Sequence, residues 1–90
     1  MTRENLAAAS DRLEAAAAAT TDDEAAERLR DLAGQLETLA ERDRAPDHGR
    51  LARIENALGD LAGTVDADAK AEIDAAHDAV VAFRETIDGV

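Results

Sequence analysis

Residues 69–90, AKAEIDAAHDAVVAFRETIDGV, decide the fold class. Apolar side chains recur there at Ala69, Ile73, Ala76, Val80, Phe83, Ile87 and Val90, in steps alternating four and three. That spacing keeps one side of an α-helix apolar, whereas a half-buried strand would alternate with a period of two. Working outward, the same spacing returns in three earlier segments. One runs Leu51, Ile54, Leu58, Leu61, Val65. A second runs Ala25, Leu29, Leu32, Leu36, Leu39, and the first of the chain runs Leu6, Ala9, Leu13, Ala16. No segment alternates long enough to suggest a strand, so the chain reads as all-α.

The punctuation between segments agrees. Thr2 can cap a first helix, and Thr21-Asp22-Asp23-Glu24 has the form of a capping box before the second. Pro46 stops the second helix and Asp47 can cap the third. Gly63 and Gly89 suit helix ends, and Asp66 or Asp68 can cap the fourth helix. Helices are therefore expected at about 3–19, 23–42, 48–62 and 67–88. Short connections favour antiparallel neighbours, so residues 1–90 should form one domain, an antiparallel up-down-up-down four-helix bundle. The alternative is a pair of helical hairpins opened against a second chain. The expected core holds Leu13, Leu29, Leu32, Leu36, Leu39 and Ile54, then Leu58, Leu61, Ile73, Val80, Phe83 and Ile87.

That core is thin. Of 90 residues 23 are alanine, and Phe83 is the only aromatic. Alanine favours helix but fills little space. A chain this short buries only ~60–65% of the surface its unfolded form exposes.

The formal charge of −11 is large for this length. Nucleic-acid backbones and anionic membranes both need a positive field, so neither is an expected partner. No apolar run is long enough to span a bilayer, and the start of the chain lacks a signal-peptide pattern, so the protein is expected in the cytoplasm. The absence of cysteine excludes disulfides and thiolate metal sites. One Lys stands against nine Arg, twelve Asp and nine Glu. Carboxylates hold water and hydrated cations, and a lysine stem adds apolar surface that salt drives together. The profile suits a halophilic protein working in molar salt. An ordinary acidic helical protein from a GC-rich genome would share it.

Residues 42–53, RDRAPDHGRLAR, carry a local charge of +2. Here a helix N-terminus offers unpaired N–H groups to an anion, and Arg50 can grip a phosphate or carboxylate through two bonds. Arg44, Asp47, His48, Gly49, Arg50 and Arg53 are the candidate residues for a ligand or partner. The plainer alternative is that Asp47 caps the helix and the arginines pair with neighbouring acids. Asp74 and His77 could share a metal, but a di-metal bundle needs such a pair on each of two helices, so no metal site is expected. Val81 falls outside its helix's apolar stripe and, with the alanine-rich first helix, could mark a strip for homodimerisation.

No nucleophile elbow, phosphate loop, dinucleotide fingerprint or zinc-protease motif occurs, so neither catalysis nor a cofactor is expected.

Three stretches carry a resemblance. They are the opening Met-Thr-Arg-Glu-Asn-Leu-Ala-Ala-Ala-Ser, the central Pro46-Asp47-His48-Gly49-Arg50-Leu51-Ala52-Arg53, and the closing Phe83-Arg84-Glu85-Thr86-Ile87-Asp88-Gly89-Val90. Together they resemble small acidic proteins encoded by haloarchaea. The resemblance implies a halophilic cytoplasmic setting and a family without an assigned biochemical function, and it supplies no catalytic residues. The expected role is an interaction or structural module with a protein partner. The alternative is an anion- or nucleotide-sensing protein using the Arg42–Arg53 segment.

Overall fold

The computed structural model describes residues 3–41 and 48–88. Four helices account for nearly all of them: α1 (Arg3–Ala19), α2 (Asp23–Glu41), α3 (His48–Ala62) and α4 (Ala67–Asp88). No strand occurs among the described residues. The helices form an antiparallel bundle with extents of 40 × 19 × 19 Å. Each helix lies within one residue of the range its apolar spacing predicts.

Local chemistry sets the boundaries. The N–H of Ala25 donates to Asp22 Oδ1 at 3.1 Å, and the N–H of Ala26 to the Asp22 carbonyl at 2.9 Å. Asp22 is thus the N-cap of α2, one residue later than the expected capping box. That shift takes Glu24 out of the reciprocal position, and Thr20 Oγ1 instead accepts the N–H of Asp22 at 3.1 Å. Asp66 starts α4, its carbonyl accepting from Lys70 at 2.9 Å. At the end of α3, Gly63 and Thr64 donate back three residues, to Asp60 and Leu61. The last turn tightens without any positive φ at Gly63, so no left-handed cap forms. The expected caps Thr2 and Asp47, with Pro46 and Gly89, lie outside the described residues.

The core follows the heptad stripes. Leu13, Leu29, Leu32, Leu36, Leu39, Ile54, Leu58, Ile73, Val80 and Phe83 are all buried in one cluster. Leu61 is the correction: it is half-buried and packs on the cluster's edge with Val65. The burial of Ile87 lies outside the described residues. Beyond the stripes, Ser10, Ala17, Ala26 and Ala33 are buried as well. They form a second line beside the seam, because α1 packs on two neighbours at once.

The helices are not evenly spaced. α1 lies close against both α2 and α4, and α3 lies close against α4. The facing surfaces explain this. Ala9, Ala16 and Ala17 of α1 are buried along with Ala25, Ala26 and Ala33 of α2 and Ala69 and Ala76 of α4. Small residues let axes approach the short end of the ~8–10 Å range. Where α1 meets α2, Ser10 Oγ donates to the Ala33 carbonyl at 2.9 Å within the interior. The fourth seam, between α2 and α3, carries leucines, isoleucine and arginines. Leucine and isoleucine tips from both helices reach the common core, but the backbones stay apart.

Candidate functional site

A groove follows from that fourth seam, and its character changes along its length. In the middle lies a cleft of about 300 Å³. α2 supplies Arg28, Leu32 and Gln35 to it, at i, i+4 and i+7 on one helix face. α3 supplies Arg50, Arg53, Ile54 and Ala57. Leu32 and Ile54 form a floor and are each only 3% exposed. Among the described lining residues three are arginines and none is a carboxylate. Toward the C-terminal end of α2 an adjoining hollow shares Gln35 and Arg50 and adds Arg30, Asp31, Gly34 and Thr38. Gln35 is fixed there by the bond from its Nε2 to Asp31 Oδ2, 3.2 Å. At the opposite end Asp22, Glu24 and Ala25 face Leu61 and Thr64, which is why Leu61 is only half-buried.

The candidate residues divide between two sides of α3. Arg50 is half-buried and places its Nε out of contact with solvent, while Arg53 is exposed at the cleft rim. His48 faces the other way. Its Nδ1 accepts from Arg84 Nε of α4 at 3.4 Å, and Arg84 Nη1 donates to Glu55 Oε2 at 2.9 Å. Glu55 and Arg84 are only 15% and 30% exposed at their side chains, so this pair is a structural tie between α3 and α4. Gly49 is exposed on the first turn of α3. Arg44 and Asp47, the remaining candidates, lie outside the described residues. From residue 48 on this segment is the opening of α3, as expected, and it brings together Arg50 and Arg53 but not His48.

Arg28 and Gln35 were not legible as site residues. They sit on α2 about twenty residues earlier, and only the antiparallel return of α3 sets them opposite Arg50 and Arg53. The one available signal was their place on the flank of a leucine stripe, as a cation and an amide.

The other sequence candidates are surface features. His77 Nδ1 lies 3.8 Å from Asp78, and Asp74 accepts from Lys70 at 2.8 Å, so these two residues turn to other neighbours. No group of three or more potential metal ligands occurs among the described residues. Val81 is half-buried, while Ala7, Ala8, Ala15 and Ala18 of α1 are exposed. No helix of the described chain is long and apolar enough to cross a membrane.

No curated protein and no solved structure matches the chain. One family model does, over residues 1–86, nearly the whole chain and all of the groove's described walls. The protein with this arginine-lined groove belongs to DUF7553, a family of unknown function.

Proposed function

We propose that this protein is a small non-catalytic interaction module that recognises a negatively charged group in the cleft between α2 and α3. One observation carries the reading: a chain of net charge −11 gathers three arginines from two helices around one cleft with no carboxylate among its described lining residues. Every described carboxylate lies on the surface, exposed except for the half-buried Glu55 and Glu72. Against that background a cluster of cations is a local inversion of the field, and it steers and holds anions. The cleft's described lining offers guanidiniums, an amide and aliphatic groups, a set suited to holding an anion. The acidic surface supports work in a salt-rich cytoplasm, where hydrated cations screen the carboxylates and leave contact-range guanidinium bonds as the selective interaction.

Thermal unfolding of the full chain at fixed ionic strength checks this. The panel holds acidic peptides, nucleotides, phosphorylated metabolites and divalent metals. A ligand of the native state at a hundred times its Kd adds about 2.7 kcal/mol of stability. At least one anion should raise the melting temperature, and the double variant Arg28→Glu/Arg53→Glu should lose that rise. A response to metals alone, or an anion response that survives the double variant, would reject the cleft as the recognition surface.

A further inference from the structure

We infer that the occupant of the α2–α3 cleft is a small organic phosphate, a phosphate monoester carried on a short apolar body. The inference rests on reading the cleft as the anion-recognising surface, and it names the class of anion. Arg28 reaches the cleft from one wall, and Arg50 and Arg53 from the other. A phosphate monoester carries roughly −1.5 to −2 charge near neutral pH and three strong acceptor oxygens. A carboxylate carries one charge and two oxygens. The guanidiniums of Arg28 and Arg53, each a positive charge on a rigid fork that grips oxygens in pairs, match the phosphate's charge and oxygens more fully.

The floor argues against a docked helix. Helix-in-groove binding draws its energy from apolar anchors that leave water on docking. Leu32 and Ile54 are already covered, at 3% exposure each, so a partner helix would gain almost no new apolar burial here. What stays accessible is polar apart from Ala57, which is half-buried and offers contact to one small apolar group. The volume, about 300 Å³, stands at the lower end of the ~300–1,000 Å³ typical of small-molecule sites. Gln35, held by Asp31, adds a polar group at one end of the cleft to read a hydroxyl or ester oxygen.

The decisive experiment is an amide NMR titration of the full chain at constant KCl, using phenyl phosphate, inorganic phosphate, benzoate and a glutamate-rich peptide. Phenyl phosphate should saturate, move the amides of Leu32, Gln35, Arg53 and Ile54, and bind more tightly than benzoate. Arg53→Ala and Arg28→Ala, both at exposed positions, should each weaken it at least tenfold with helicity unchanged. Arg12→Ala, which removes an arginine paired with Glu72 on the α1–α4 side, should leave the affinity as it is. If the peptide or benzoate binds through Arg28 and Arg53 while phenyl phosphate does not, the organic phosphate is wrong and the anion cleft stands. If none of the four binds in an arginine-dependent way, both readings fall.

Discussion

Gly59 sits exposed within α3, and a Cβ added there meets nothing within 4 Å. A glycine inside a helix gives the unfolded chain extra freedom and costs ~0.5–1 kcal/mol relative to alanine. Gly59→Ala should therefore stabilise the fold by about 0.4–1 kcal/mol. Denaturant unfolding with an unchanged slope checks this, and a loss of stability would show that the position is crowded in solution. At this scale the large apolar residues were legible. Val80 and Phe83 declare their burial by heptad position, because removing them from water is favourable in any bundle. Ser10 was not. A serine beside a stripe of alanine and leucine reads as surface, and only the close approach of α2 gives its hydroxyl the Ala33 carbonyl as an interior partner.

At the scale of helices, α3 is held differently from the rest. α1 joins two neighbours through alanine seams, whereas α3 lies close along α4 alone. The Glu55–Arg84 pair therefore matters more to the bundle than the exposed pair of Arg12 with Glu72. A hydrogen bond to a charged group contributes about 1.5–3 kcal/mol when partly withdrawn from water. An exposed ion pair contributes ~0–1 kcal/mol. A double-mutant cycle with Glu55→Ala and Arg84→Ala should give a coupling of at least about 1 kcal/mol, against less than about 0.5 for Arg12 and Glu72. Equal couplings would remove the special place of the α3–α4 tie. The helix ranges were legible because period, proline and capping residues act within a few residues of chain. Which seam would open was not, since it depends on how alanine-rich and bulky faces are shared among four helices.

For the whole molecule, charge sets the expected response to salt. Twenty-one carboxylates face ten Lys and Arg side chains on a domain 40 Å long. The screening length is ~30 Å at 0.01 M salt and ~3 Å at 1 M. In dilute buffer most of the acids therefore feel one another, and unfolding relieves the repulsion by spreading them apart. Stability should climb with KCl, followed by helicity and melting temperature between 10 mM and 2 M at pH 7. Acidification toward about pH 4–5 at low salt should partly replace it, as carboxylates take up protons. A melting temperature unmoved by KCl would refute the salt-adapted reading. The sequence by itself determined the helical class, the four segments, most of the core and the sign of the field. These are properties of composition and of spacing within one helix. The tertiary structure alone decided that Leu61 lies at the edge and that His48 turns away from Arg50. It also decided that Arg28 and Gln35 complete a cleft with Arg50 and Arg53. Each of these depends on which helices meet and how closely, which follows from the packing of small against large faces across the whole bundle.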